Sequence, residues 1–456
     1  MKHSSGYPRL RDSIQLRKYE KYVLVYDFHI ACNDFLHPSE AVLLALCTGR
    51  YSVKQLEYLI GETYALPPEE SHEFVEKKLQ RFWIYLDFLP ESDTNIPMKY
   101  DPKDFFYTVD ESFNPDEFQK IPVPIGININ LSFACNFRCR YCYQTATPGH
   151  GKLDLDTCLR LIREASEWGV AYAGLSGGEP TIFNGWMTLL EDIIRRGMNP
   201  VFTTNGVVIG RNPDITKELK RIGLKEITVS LDASSPDLHH YITRSHDTFS
   251  PVTNAISTLI DSGIPVSVKC VLTKYNMDDI GKLIDLVVRL GGKQIGVTIC
   301  GFGSRGSGAN QMIALSNDEI QVVCETVRVK QEQYRGMCSV HPPNYVKGLW
   351  DSHSWYPCGG LFAGMSIHPS GKVSICDKLG DDTPFIYGDV FKNSLREIWD
   401  SNDFRRLWDS TVDSTVIDED CSRCSRLREC RTSCYIDSFE VHGKYFAKHP
   451  LCGGPF

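Results

Sequence analysis

From Pro124 onward the chain alternates between two periodicities. Ile125, Ile127, Ile129, Leu131 and Phe133 are separated by Gly126, Asn128, Asn130 and Ser132, the period-two pattern of a strand with one buried and one polar face. Helical spacing follows over 155–168. The alternation then continues as strand 170–176, helix 186–197, strand 200–204, helix 213–222, strand 226–231, helix 250–262, strand 264–272, helix 278–290 and strand 294–300. Six strands alternating with helices predict a parallel α/β layer, either an open sheet or a partial barrel.

The first ninety residues follow another order. Short strands are expected at Ile14–Arg17, Tyr22–Asp27 and Ala31–Leu36, and then three helices. Pro38-Ser39-Glu40 opens the first, which ends at Gly49. Ser52 and Gln55 have capping-box spacing and open the second, and Pro67-Pro68-Glu69-Glu70 opens a third running to about Leu89. Strands followed by helices in so short a span describe a winged-helix-like module. We place it at 1–95. A linker rich in Pro, Asp and Ser is expected at 96–121, the α/β layer at 122–310, a bridging segment with a helix near 317–334 at 311–340, and a cysteine-rich region at 341–456.

Charge narrows the use of the winged-helix shape. DNA binding is its commonest role, but residues 1–90 hold 11 Lys/Arg against 12 Asp/Glu, and the chain as a whole carries −8. A nucleic-acid backbone would call for a basic face, so no nucleic-acid partner is expected. Met1–Pro8 lacks an apolar signal core, and the longest apolar runs, such as Ala41–Cys47, are too short for a membrane span. A soluble, cytoplasmic protein without a membrane partner is expected.

In a reducing compartment, 17 cysteines point to metal or redox roles rather than disulfides. Seven of them (Cys32, Cys47, Cys158, Cys270, Cys300, Cys324 and Cys338) are scattered, and several sit in apolar surroundings as buried small hydrophobes. Cys135, Cys139 and Cys142 form C-x3-C-x2-C directly after the first strand of the α/β layer. Structural zinc takes four ligands, usually from paired C-x2-C units. Three cysteines instead leave one iron of a four-iron cluster open. Further polar signals close the next strands: Ser176-Gly177-Gly178-Glu179-Pro180, Thr203-Thr204-Asn205-Gly206 and Ser230-Leu231-Asp232. Chemistry collects at such strand ends in parallel α/β folds. A plain turn is the competing reading of Thr203–Gly206.

The triplet and these strand ends resemble the core of the radical S-adenosylmethionine (SAM) enzymes over roughly residues 122–310. The resemblance implies a (β/α)6 partial barrel whose Cys135/Cys139/Cys142 cluster chelates SAM through its open iron. It also implies that Gly177 and Gly178 bring backbone to the methionine amino group, with Glu179 beside it. Ser230 and Asp232 would lie near the SAM ribose and carboxylate, and Arg244 would pair with that carboxylate. The segment leading to Arg244 is about two residues longer than in the family.

Cys358-x12-Gly371-x4-Cys376 and Cys421-x2-Cys424-x5-Cys430-x3-Cys434, with Cys452 beyond, leave one or two zinc ions as one reading. They also resemble the SPASM extension of peptide-modifying radical SAM enzymes, which implies two auxiliary 4Fe–4S clusters and three in all. By the family's interleaved pattern Cys421, Cys424, Cys430 and Cys452 hold the second, and Cys358, Cys376 and Cys434 the first. No cysteine follows Cys358 closely, so the first has an open iron or takes Cys338 as fourth ligand. Asp377, next to Cys376, matches a proposed substrate base of the related anaerobic sulfatase maturases, with a solvated turn residue as the alternative.

At the other end, the strand Tyr22–Asp27, the helix start Leu36-His37-Pro38-Ser39-Glu40-Ala41 and the turn Thr48-Gly49-Arg50-Tyr51-Ser52-Val53 resemble the RiPP recognition element, in particular the small peptide chaperone of pyrroloquinoline quinone biosynthesis. RiPPs are ribosomally made, post-translationally modified peptides. The resemblance implies a leader peptide added as an extra strand at a sheet edge. Together these likenesses imply a RiPP maturase that draws electrons from a reductant such as flavodoxin or ferredoxin. A thioether cross-link is the favoured product. Carbon–carbon or ether links, epimerisation, other single-residue oxidation and sulfatase maturation are the alternatives. An iron–sulfur redox sensor is the non-enzyme reading.

Overall fold

The capping box legible at Ser52 forms as written: its hydroxyl accepts from the Gln55 N–H at 3.3 Å, and the Gln55 side chain accepts from the Ser52 N–H at 2.8 Å. His37 and Glu40 make a second box, one helix earlier. The structure, a computed structural model, describes residues 6–19, 21–27, 32–108, 121–144, 151–302, 309–343, 358–381, 383–425, 427–432 and 434–452. The chain divides into two units, Met1–Gln119 and Lys120–Phe456.

The first unit runs β1 (Tyr7–Leu10), β2 (Gln15–Lys18), β3 (Val23–Asp27), β4 (Cys32–Leu36), α1 (Pro38–Leu46), α2 (Val53–Tyr64), α3 (Pro68–Arg81) and β5 (Leu86–Leu89). Strands β2, β3 and β4 form an antiparallel sheet in that order, and β1 pairs antiparallel with β5. The third helix stops eight residues short of the expected Leu89. Its apolar run continues through a tight turn at Trp83–Tyr85 into β5, because aromatic residues suit a pleated surface that packs on one side.

Part of the expected linker belongs to this unit. Lys99 Nζ donates to the Asp12 and Ile14 carbonyls at 2.6 and 2.5 Å. The Tyr100 hydroxyl accepts from the Leu16 N–H at 2.9 Å and donates to Gln15 at 3.1 Å. These contacts cover the outer edge of β2, as natural sheets do to avoid unwanted pairing. The stretch 109–120 of that linker lies outside the described residues, as does most of the polar stretch 301–310.

The second unit begins with β6 (Gly126–Asn130), α4 (Leu155–Trp168), β7 (Tyr172–Ser176), α5 (Trp186–Arg195), β8 (Asn199–Thr204), α6 (Val207–Arg211), α7 (Ile215–Arg221) and β9 (Ile227–Ser230). It continues with α8 (Pro236–Thr243), α9 (Phe249–Asp261), β10 (Val266–Leu272), α10 (Ile280–Arg289), β11 (Gln294–Ile299), α11 (Asn317–Gln333) and β12 (Ser339–His341). Strands β6 to β11 are parallel neighbours in chain order, and β12 extends them beside β11. Among the described residues the sheet does not close, a property shared by an open sheet and a partial barrel. On the other edge β13 (Gly364–Ile367) pairs parallel with β6, followed by antiparallel β14 (Lys372–Ser374) and β15 (Ile386–Asp389). The cysteine-rich region thus continues the core sheet.

The expected strand–helix series holds, but α6 and α8 were not visible in the periodicity. Helices of five and eight residues are too short to write a stripe. Among the described residues no helix is long and apolar enough to cross a membrane.

Candidate active site

After β6 the chain passes through residues 132–144 along the ends of neighbouring strands. Gly177, at φ +127°, and Gly178 make this route possible. A Cβ on Gly177 would lie 2.3 Å from the Ser132 carbonyl oxygen, and one on Gly178 would lie 2.0 Å from that of Ala134. With no side chain in the way, the Gly178 N–H donates to Ser132 O and the Glu179 N–H to Ala134 O, both at 2.8 Å. The glycine pair therefore seats the segment that carries Cys135, a structural use the sequence did not suggest.

Other elements grip the same loop. Asn205 Nδ2 donates to Asn136 Oδ1 at 2.7 Å. The Arg138 and Arg140 N–H groups donate to the carbonyls of Thr243 and Ile242 at the end of α8, each at 2.9 Å. The Tyr141 hydroxyl donates to Asp232 at 2.5 Å, Asn310 Nδ2 donates to the Tyr141 carbonyl at 3.1 Å, and the Tyr143 hydroxyl donates to Asp377 at 2.8 Å. The sequence marks Asn205 within the strand end Thr203–Gly206, but gives no separate role to Tyr141, Tyr143, Asn136 or Asn310. The two tyrosines stand beside Cys142, which was the available signal.

Cys135, Cys139 and Cys142 are half-buried. Burial pushes the Cys135 thiol up to about 11, with Glu179 and then Cys142 adding to the effect. Cys139 is raised further by burial, then by Asp232, Cys142 and Cys135. The three thiols are thus electrostatic neighbours. A bound metal would reverse this penalty, since the thiolate is the ligand form. Among the described residues no three His, Cys, Asp or Glu side chains converge as the ligands of one ion. A single ion needs such convergence; a cluster taking one thiolate per iron does not.

The residues expected near SAM divide into two groups. Glu179 is 3% exposed, and its carboxylate is occupied by neighbouring strand ends. Oε1 accepts from the Thr181 N–H at 3.0 Å, the Thr181 hydroxyl at 2.5 Å and the Thr204 hydroxyl at 2.6 Å, and Oε2 accepts from the Asn205 N–H at 2.7 Å. Burial raises its pKa against these hydrogen bonds. Thr203–Gly206 is therefore more than a plain turn, since it anchors Glu179. Asp232 also faces inward. It accepts from Tyr141 and from the Val271 N–H at 2.7 Å, and burial lifts it to about 6. Ser230 is half-buried at the end of β9, and Arg244 is exposed in the left-handed conformation that ends α8, beside the carbonyls that hold the cysteine loop.

In the C-terminal region Cys358 and Cys376 are electrostatic neighbours, as are Cys358 and Cys434, and Lys378 acts on all three. The Lys378 N–H also donates to Cys376 Sγ at 3.4 Å. Cys421, Cys424 and Cys452 form another neighbourhood. Cys430 acts on Tyr435, as do Cys358 and Cys434, so it stands toward the border between the groups. Cys338 is elsewhere. Its N–H bonds to Tyr334 O at the end of α11, and Lys293 is the charged group that acts on it. These sets fit the ligand chemistry of iron–sulfur sites, in which thiolates take one iron each.

Residues 129–287 match the sequence profile of the radical SAM superfamily, and residues 358–425 match that of SPASM, an iron–sulfur cluster-binding domain. The chain carries a radical SAM domain and a SPASM domain. It is 27% identical over 342 residues to a PqqA peptide cyclase of Ruegeria pomeroyi, covering 73% of this chain and 88% of that protein. A PqqA peptide cyclase of Rhizobium meliloti is 25% identical over 340 residues, with the same coverage. Among solved structures, Streptococcus suis SuiB bound to precursor peptide SuiA superposes with a TM-score of 0.66 at 16% identity, covering 98% of this chain and 100% of that one. Native anSMEcpe with bound AdoMet gives 0.57 at 17% identity, covering 72% and 94%. The structural likenesses, at such low identity, are likenesses of fold.

Proposed function

We propose that this radical SAM enzyme oxidatively modifies a ribosomally made precursor peptide, joining a cysteine sulfur to a carbon. The observation that carries the reading is the gathering of four strand ends and α8 around the loop of Cys135, Cys139 and Cys142. Those cysteines would hold the SAM-binding 4Fe–4S cluster, Cys358, Cys376 and Cys434 a first auxiliary cluster, and Cys421, Cys424, Cys430 and Cys452 a second. When bound, such a site supplies an electron that splits SAM into methionine and a 5′-deoxyadenosyl radical, and the other clusters supply an outlet for electrons from the oxidised peptide.

The chain's own residues position the reactants. Gly177 and Gly178 bring backbone to the mouth of the site, Ser230 would lie near the SAM ribose and carboxylate, and Arg244 would pair with that carboxylate. Asp232 holds Tyr141, and through it the cysteine loop. Asp377, held by Tyr143, would accept the proton lost as the peptide is oxidised. A three-cysteine set with Cys338 placed elsewhere supports an open iron able to take a substrate thiolate, hence the thioether. A carbon–carbon cross-link is the second reading, because the curated relatives are PqqA peptide cyclases.

The first unit would grip the leader. With β2 covered by Lys99 and Tyr100, β4 is the remaining edge of the three-stranded sheet. An added strand there would have to take the Phe35 N–H from the Asp34 carboxylate, which accepts it at 3.1 Å. We place the enzyme in the cytoplasm, where flavodoxin or ferredoxin would reduce it.

The test is co-expression with a neighbouring short open reading frame that encodes a leader and a cysteine-bearing core. Loss of two hydrogens with loss of iodoacetamide labelling supports the thioether. The same loss with labelling retained supports a carbon–carbon link, and an unchanged mass points to epimerisation. Anaerobic incubation with SAM and dithionite must also give more 5′-deoxyadenosine than a Cys135→Ala control.

A further inference from the structure

One residue of the six core strands β6–β11 carries a charge, Lys269 on β10. Around it Val266, Val268, Cys270 and Leu272 are at most 4% exposed, whereas Lys269 reaches solvent. Its register partners are Ser230 on β9 and Gly296 on β11. Val229, next to Ser230, faces the helices, since a Cβ on Gly206 would lie 3.1 Å from its Cγ1 and 3.2 Å from the Ala255 Cβ of α9. Successive strand residues point to opposite faces. Ser230 and Lys269 therefore point away from the helices, toward the inner face of the sheet. A Cβ on Gly296 would meet nothing within 4 Å, so this face of β11 is open at the position paired with Lys269.

The Lys269 carbonyl accepts from the Leu231 N–H at 3.0 Å, but its side chain makes no hydrogen bond or ion pair among the described residues. The surrounding protein lowers its pKa, Asp377 acts the other way, and Lys378 adds a further lowering. Asp377 is engaged by Tyr143. A compact ammonium that has lost part of its hydration is best compensated by a carboxylate. Arg244, exposed beside the cysteine loop, is the cation placed for the carboxylate of SAM. Lys269 instead lies within electrostatic reach of Asp377.

We propose that Lys269 anchors an Asp or Glu side chain of the bound peptide between Ser230 and Asp377. This rests on the reading that the substrate is a peptide, and it adds a specificity: the modified region carries an acidic residue. In a chain of net charge −8, one inward lysine gives local selection for a carboxylate that the overall charge would repel.

The test uses the anaerobic holoprotein with two probes, acetyl-Gly-Glu-Gly-amide and acetyl-Gly-Gln-Gly-amide, and affinities from saturation-transfer NMR. The wild type is expected to favour the glutamate probe about tenfold. Lys269→Met should abolish that preference and Lys269→Arg should keep most of it, both with wild-type cluster absorbance. Absence of a preference in the wild type, or its survival in Lys269→Met, overturns the proposal. So does weaker SAM binding in Lys269→Met by equilibrium dialysis with the probe preference intact. The peptide reading itself fails separately, if 5′-deoxyadenosine forms while the precursor shows neither a mass change nor a D-residue after hydrolysis.

Discussion

The Tyr143 hydroxyl donates to the Asp377 carboxylate at 2.8 Å, joining the residue after Cys142 to the residue after Cys376. Burial, then the charge of Asp377, drives the Tyr143 pKa well up, so the phenol stays a donor throughout the working range. Two cysteine segments distant in the chain are thereby held together by one charge-assisted hydrogen bond.

That bond separates two roles for Asp377. Tyr143→Phe should cost about 1.5–3 kcal/mol of local stability, read as faster amide exchange around residues 141–144. Asp377→Asn keeps an acceptor for Tyr143 but removes the proton-accepting charge. It should still form 5′-deoxyadenosine while the yield of modified peptide per 5′-deoxyadenosine falls at least tenfold. A wild-type ratio in Asp377→Asn would exclude the base role.

Gly178 offers a sharper structural test. Its added methyl would sit 2.0 Å from a backbone oxygen, and backbone cannot swing aside as a side chain can. Gly178→Ala should displace Ala134 and with it Cys135. The purified variant should lose about four irons per chain and its SAM cleavage, while the auxiliary cluster signals persist. Full iron content with normal SAM cleavage would contradict the role given to the glycine pair.

Cys338→Ala should leave every cluster intact. Cys338 lies between α11 and β12 with Lys293 acting on it, whereas Cys358, Cys376 and Cys434 share Lys378. Electron paramagnetic resonance of the reduced variant is expected to match the wild type, whereas Cys358→Ala should remove one auxiliary signal. Loss of that signal in Cys338→Ala would make Cys338 a ligand and end the open-iron reading.

How legible the molecule was depended on whether a residue's role repeats or is solitary. The parallel layer could be read because period-two and helical spacing recur over many residues, as in Ile125 to Phe133. The Ser52–Gln55 box could be read because capping is local. Residues 99–105 look like linker in the sequence because their role is to cover β2, and the Tyr100 side chain reaching across 84 positions to Leu16 leaves no periodic trace. Glu179 and Asp232 were placed near SAM by resemblance. The structure adds that their carboxylates are occupied by Thr204, Asn205, Tyr141 and Val271, a tertiary closure that no spacing rule encodes. Lys269 carries no signal in the sequence, because one charge in an otherwise apolar strand reads as an ordinary solvent-facing position until its neighbours are known.

Asp34 gives the first unit a pH dependence whose sign can be worked out. It sits on β4, pairs with Arg81 at 3.0 Å and has Glu40 nearby. Burial outweighs Arg81, and Glu40 adds to burial, so its pKa is lifted to about 6. Between the unfolded value near 4 and this folded value, the native state holds a proton that the unfolded chain has released. Stability therefore falls as pH rises through that window and levels off above it. The side chain keeps 20% exposure, so the change should be nearer 2 kcal/mol than the roughly 3 kcal/mol given by the full shift. Asp34→Asn keeps an oxygen for the Phe35 N–H but cannot ionise. Amide exchange in β3 and β4, corrected for intrinsic rate, should speed up in the wild type between about pH 4 and about pH 6.5 and stay flat in the variant. Above pH ~6 the variant should be at least as protected as the wild type. A flat wild-type profile would mean that Arg81 compensates the buried carboxylate fully.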